Sequence, residues 1–159
     1  MKIKIEELVN TYSKMIYQIA YQNCFNKSNA EDITQEVIIK LWKNIEKFKT
    51  EEHLKSWIIR VTINMSIDNN RYYKNKKETQ LEENDDYYFE KEYHGLLEEL
   101  KKLKPIKRNI IYLYYYQGYK INEISKILNI NANTVNTNLA RAKKELKNIL
   151  EEGGAYYEV

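Results

Sequence analysis

The sequence predicts an all-α fold: two small helical domains joined by an acidic linker, the second a helix-turn-helix domain. Three observations predict it. Only four Gly and one Pro interrupt 159 residues, too few turn formers for a many-stranded β fold. Apolar residues recur at helical spacing through most of the chain. Charge is divided unevenly along it: residues 1–75 carry 12 basic and 9 acidic side chains, 76–93 carry 3 and 7, and 94–150 carry 11 and 4. Two positive bodies flanking an acidic stretch say more than the net charge of +3. Lys, Asn, Ile and Tyr are abundant throughout, so position must carry the argument and abundance cannot.

In the first body, residues 1–75, Ile5, Leu8, Val9, Tyr12, Met15, Ile16 and Ile19 follow a helical period. A break follows at Asn26–Asn29, and Ser28 stands three before Glu31, a capping-box spacing that starts a second helix. That helix carries Ile33, Val37, Leu41, Trp42, Ile45 and Phe48 as its stripe. A third begins near Thr50 with Leu54, Trp57, Ile58, Val61 and Met65, and fades into the basic segment Asn69–Lys77. Residues 76–93 lack an apolar stripe and are dense in carboxylates, which reads as a linker. The second body, residues 94–159, opens near His94. Pro105 suits a first helical turn, Ile106, Ile110, Leu113 and Tyr114 form the buried face, and Gly118 closes the helix.

Residues 119–146 have the sharpest pattern, a helix-turn-helix. Ile121, Ile124, Ile127 and Leu128 point inward from its first helix. Asn129 takes the left-handed turn position, Ile130 plugs the turn, and Asn131 caps the next helix. Val135, Leu139, Ala142 and Leu146 form the inward stripe of that helix. Its other side shows Asn133, Thr134, Asn136, Thr137, Asn138, Arg141, Lys143 and Lys144. Short polar groups at a helix start suit base edges, where Asn pairs bidentately with adenine. Arg141, Lys143 and Lys144, with Lys120 and Arg108, are placed to neutralise phosphates.

The run Ala30–Trp42, AEDITQEVIIKLW, resembles a signature of the extracytoplasmic-function (ECF) RNA polymerase sigma factors. Leu54–Asp68 resembles that family's promoter-melting segment, and residues 94–150 resemble its reader of the −35 promoter element. The resemblance implies that residues 1–75 bind RNA polymerase core and melt the −10 element, and that 94–159 bind the −35 element. It places Asp32, Gln35, Glu36, Ile39, Lys40 and Trp42 against the β′ clamp helices of polymerase. The −10 contacts would come from Lys49, Lys55, Trp57, Arg60, Asn64, Asn69, Asn70 and Arg71. The −35 contacts would come from Lys120, Asn131, Asn133, Thr134, Asn136, Thr137, Arg141, Lys143 and Lys144. Polymerase core (β′ clamp helices and β flap), promoter DNA and an anti-sigma factor are the implied partners. The chain departs from the family pattern at Lys104 (between Leu103 and Pro105), Lys120 and Asn129.

The residues support this division without the family. Carboxylates at Asp32 and Glu36 beside Ile39 and Trp42 suit a protein surface and repel phosphate. Cations, paired amides and aromatic rings along the third helix suit an unstacked single strand. No cofactor, metal or catalytic group is implied: His53 and His94 stand alone, and Cys24 has no ligand companion. The chain therefore reads as no enzyme. No apolar run reaches membrane-spanning length, no signal peptide is present, and one cysteine suits a reducing compartment, so a cytoplasmic protein without membrane insertion is expected. The residues alone leave a second reading open, a helix-turn-helix regulator whose residues 1–75 sense a signal or dimerise.

Overall fold

The computed structural model describes residues 3–72, 93 and 95–152. The described residues form helices and connecting turns, with no strand among them. The chain divides into two compact units, Met1–Glu90 and Lys91–Val159. Apart from Tyr93, the acidic stretch 76–93 lies outside the described residues.

The first unit packs α1 (Ile5–Cys24), α2 (Lys27–Asn44) and α3 (Glu51–Tyr72) pairwise against one another. Phe25 ends α1 in the left-handed conformation (φ 52°, ψ 36°), and its N–H donates to the Tyr21 carbonyl at 2.7 Å. That backbone costs an L-residue about 1–2 kcal/mol, which burial of the Phe25 ring offsets. Asn26, not Ser28, caps α2: its Oδ1 accepts from the Asn29 N–H at 2.8 Å. The tight turn at Phe25 brings the helix start two residues earlier than the Ser28–Glu31 spacing suggests.

Helix α2 buries Ala30, Ile33, Val37, Ile38 and Leu41. It stops at Asn44 and continues as a 3₁₀ turn over Ile45–Lys47, so Phe48 falls outside the stripe assigned to it. Thr50 caps α3, its Oγ1 accepting from the His53 N–H at 3.1 Å. The buried stripe of α3 is Leu54, Ile58, Ile59, Thr62, Ile63 and Ser66. Trp57, Val61 and Met65, expected inside, are half-buried. The stripe turned because two hydroxyls enter the core without leaving an orphan donor. Thr62 Oγ1 donates to the Ile58 carbonyl at 2.7 Å, and Ser66 Oγ to that of Thr62 at 2.6 Å.

In the second unit α4 (Leu97–Lys101), α5 (Pro105–Ile111) and α6 (Ile121–Leu128) all pack on the long α7 (Ala132–Glu152). Pro105 occupies the first turn of α5 after an extended Lys104 (φ −60°, ψ 147°). Lys107 ion-pairs with Glu145 of α7. A π-helical turn over Tyr112–Tyr116 follows α5, with the Gln117 N–H reaching the Tyr112 carbonyl at 3.0 Å. This extra residue rotates the later side chains off the 3.6-residue template. Tyr112 and Leu113 are buried while Tyr114 is only half-buried, and Ile106 at the other end of the run is exposed. Gly118 closes the run at φ 78°, and the Tyr119 N–H reaches back to the Leu113 carbonyl at 2.9 Å.

Arg108 also departs from expectation. It is 3% exposed, and its Nη1 donates to the carbonyls of Leu100 (3.4 Å), Lys101 (3.4 Å) and Leu103 (3.0 Å). It satisfies the carbonyl end of α4, a role for which a cation suits a helix C-terminus, and it is withdrawn from phosphate contact.

The rings of Tyr93, Tyr112 and Tyr116 meet with centroids 5.1–6.0 Å apart. Burial raises the pKa of Tyr93 far above the ordinary tyrosine value, against a lowering pull from Arg108. Burial likewise raises Tyr112, against its hydrogen bond from Gln117. Both phenols are neutral in the fold and ionise near pH 10 when unfolded, so their contribution is complete below that pH and lost above it. We expect stability to fall above pH 10 by up to about 1.4 kcal/mol per pH unit for each phenol. Urea midpoints followed from pH 8 to 11.5 check this, and Tyr93→Phe should lessen the alkaline slope. An unchanged slope would refute it.

Candidate functional site

On α2, Asp32, Gln35, Glu36, Ile39, Lys40 and Trp42 are all exposed, opposite the buried face. Ile39 is 45% and Trp42 46% exposed, among the largest apolar side chains left in water. Two apolar anchors bordered by carboxylates form a small surface of mixed chemistry, the kind proteins dock on. All six residues share one face.

The third-helix set is brought together only in part. Trp57, Arg60 and Asn64 recur at i, i+3 and i+7 and so lie on one side of α3. Lys55 is two positions from Trp57, nearly opposite on the helix, and is ion-paired with Glu51 at 3.3 Å. That pair, with Glu52, completes the acidic first turn of α3, which explains why carboxylates stand in a segment read as DNA-facing. Lys49 is exposed in the preceding loop, and Asn69 is half-buried. Asn70 and Arg71 lie on the α3 backbone, and their side chains are outside the described set. The aromatic cluster at the start of this face was missed. Phe48 meets the His53 ring at 5.2 Å and the Trp57 ring at 5.3 Å. The spacing Phe48–His53–Trp57 carried a signal, hidden because Phe48 was assigned to the α2 stripe.

The helix-turn-helix is built as its residues suggest. Asn129 is left-handed (φ 56°, ψ 48°), and the Ile130 N–H reaches back to the Ser125 carbonyl at 3.1 Å. Ser125 Oγ donates to the Ile130 carbonyl, locking the turn from its other side. Asn131 Oδ1 accepts from the Asn133 N–H at 2.7 Å and caps α7. Lys120 precedes α6, where Glu123 Oε1 accepts its N–H at 3.0 Å; this is the Glu half of a capping box, without the N-cap hydroxyl that would accept the Glu123 N–H. Ile124, Ile127, Val135 and Leu139 are buried between the two helices.

This scaffold presents two adjacent stripes on α7. Asn133, Asn136 and Lys143 form one, and Thr134, Thr137, Arg141 and Lys144 the other; all seven are exposed. Lys120, Asn133 and Asn136 meet at an open groove of about 460 Å³, lined also by Tyr114, Ile121, Asn122 and Ala132. Tyr114 and Ile121 were expected inside; the π turn and the helix start bring both to the groove. Among the described residues no cluster of His, Cys, Asp or Glu could hold a metal, and no helix is long and apolar enough to cross a membrane.

Residues 8–77 match sigma-70 region 2, and residues 93–146 match sigma-70 region 4. The RNA polymerase sigma factor SigV of Bacillus subtilis is 30% identical over 87% of this chain and 86% of its own length. The chain belongs to the ECF family of RNA polymerase sigma factors. The ECF sigma factor SigW of the same organism is 27% identical, over 92% of this chain and 88% of SigW. The fold matches sigma factor RpoE of Bartonella quintana, seen with the anti-sigma factor NepR, at a TM-score of 0.74 and 17% identity, covering 92% of this chain and 96% of that one. CnrH, seen with the cytosolic domain of CnrY, matches at a TM-score of 0.71 and 19% identity, over 93% and 88%. As a sigma factor, the chain binds RNA polymerase core and directs promoter-specific initiation of transcription.

Proposed function

We propose that the two tasks of this sigma factor are divided between two domains joined by residues 76–93. The first, residues 1–75, docks on core through the α2 face of Asp32, Gln35, Glu36, Ile39, Lys40 and Trp42, with the β′ clamp helices as its seat. The Trp57–Arg60–Asn64 side of α3, with Lys49 and the Phe48–His53–Trp57 rings at its head, receives the opened −10 strand, rings stacking on bases and cations holding the backbone. The second, residues 94–159, reads the −35 element through Asn133, Asn136 and Thr137, held by phosphate contacts from Lys120, Arg141, Lys143 and Lys144. The β flap of polymerase carries this unit to the DNA. The chain performs no chemistry; RNA synthesis belongs to the polymerase, in the cytoplasm. An anti-sigma factor as inhibitory partner fits the complex of RpoE with the anti-sigma factor NepR, whose fold this chain matches.

The observation that carries this reading is the α2 face, where two large apolar side chains, Ile39 and Trp42, stand exposed together among carboxylates. Run-off transcription from genomic fragments, with purified core and with or without the chain, tests it. Discrete transcripts dependent on the chain are expected. Core left unbound and unredirected would overturn it. Across a panel of −35 variants, Asn133→Ala and Asn136→Ala should each reorder the preferred sequences by about 1–3 kcal/mol at one base pair. A ranking identical to the parent's would remove these two from base reading.

A further inference from the structure

The π turn and α7 meet at a contact that none of these roles uses. Lys143 Nζ stands 5.2 Å from the Tyr115 ring centroid and 5.8 Å from that of Tyr114. The two rings meet edge-on at 4.9 Å. Tyr115 is 48% exposed and Lys143 is exposed, so packing does not explain why they come together. A lysine in water ordinarily sweeps many rotamers, and fixing it costs side-chain entropy. Here two ring faces within cation–π range narrow that sweep. Polar contact with the Tyr115 hydroxyl also raises the Lys143 pKa above the ordinary lysine value.

Position supplies the rest. Lys143 follows Asn136 by seven residues on the same face of α7, about 10 Å further along the axis. A reader helix with Asn136 at base edges, in a major groove about 12 Å wide, brings a side chain that far back to the groove's rim, where phosphates stand. Tyr114 joins the two places, since it lines the groove with Asn133 and Asn136 and also touches Lys143.

We propose that Tyr114 and Tyr115 form an aromatic ledge that holds the Lys143 ammonium ready for a backbone phosphate of promoter DNA. Tyr115 is thereby a positioning residue, acting through Lys143. The inference rests on the reading of α7 as the −35 reader.

The test uses holoenzyme reconstituted from core and the full chain, binding a promoter fragment whose transcript has been mapped, across a salt series. Loss of one phosphate contact in Lys143→Ala should lower the slope of log K against log salt by about 0.9, and weaken binding on the order of fivefold at ~0.15 M salt. Tyr115→Ala should lose much of the same slope. The double variant should be no worse than Lys143→Ala, because the ring acts only through that ammonium. Tyr115→Phe, which keeps the ring, should recover most of the loss. An unchanged slope in Lys143→Ala, with the parent binding normally, overturns the ledge alone. Additive losses in the double variant, or no recovery by Tyr115→Phe, overturn the positioning role. A parent holoenzyme without salt-dependent promoter binding removes the −35 reading itself, and the ledge with it.

Discussion

Replacing Trp42 with Ala is expected to weaken the affinity for polymerase core by about 30-fold or more. A tryptophan anchor in a docked surface is worth about 2 kcal/mol or more when truncated, and Trp42 is the largest apolar group on the α2 face. Its 46% exposure separates that loss from a folding defect, since the core of the first unit is built by Ile33, Val37, Ile38 and Leu41. Thermal unfolding should therefore change by less than about 1 kcal/mol. Titration of labelled chain into core measures the first quantity, and calorimetry of the free chain the second. Parent-like affinity, or a lost affinity that tracks a lost fold, would take Trp42 out of the interface.

Arg108→Met should have the largest effect on stability, about 3 kcal/mol, although a basic residue next to a DNA-binding motif invites a functional explanation. The methionine fills much of the volume but leaves the carbonyls of Leu100, Lys101 and Leu103 without their charged donor. Hydrogen bonds to a charged group contribute about 1.5–3 kcal/mol each when well formed, and two of these three are long. For a unit of this size the melting midpoint should fall by roughly 10–20 °C. Arg141→Met, by contrast, should leave melting unchanged and reduce the salt slope of promoter binding. Arg108→Met that melts like the parent would show that the guanidinium is not what closes α4.

Trp42 and Arg108 mark where the sequence stops being legible. The helix-turn-helix could be read closely because its turn has local chemistry. Asn129 tolerates positive φ, Asn131 caps, and the flanking isoleucines alternate with polar groups at a fixed period. On α2 the polar residues and the buried stripe sort by angle, but Trp42, grouped by spacing with Leu41 on the inward side, stands exposed on the opposite face. Arg108 was misread because a cation that caps a five-residue helix has the same local pattern as one facing DNA; only the approach of α4, which ends seven residues earlier at Lys101, tells them apart. The α3 stripe shifted for a related reason. Thr62 and Ser66 bond back to their own helix, so they pack as apolar groups while scoring as polar. No local pattern announces the π turn over Tyr112–Tyr116, so the sequence alone puts Tyr114 inside, whereas the structure leaves it half-buried.

That turn bears on how the chain can change length. Inserting or deleting one residue in an ordinary helix rotates everything beyond it by about 100°, which scrambles inside and outside. A π turn is the form a single added residue takes when the disturbance is absorbed within one turn. Here it runs from Tyr112 to Tyr116, with Leu113 still buried, and ends just before Gly118, whose left-handed backbone resets the chain direction. Sequences of this kind can therefore gain or lose a residue beside Tyr114 and Tyr115, the rings that face outward, while the reader helices after Gly118 keep their frame.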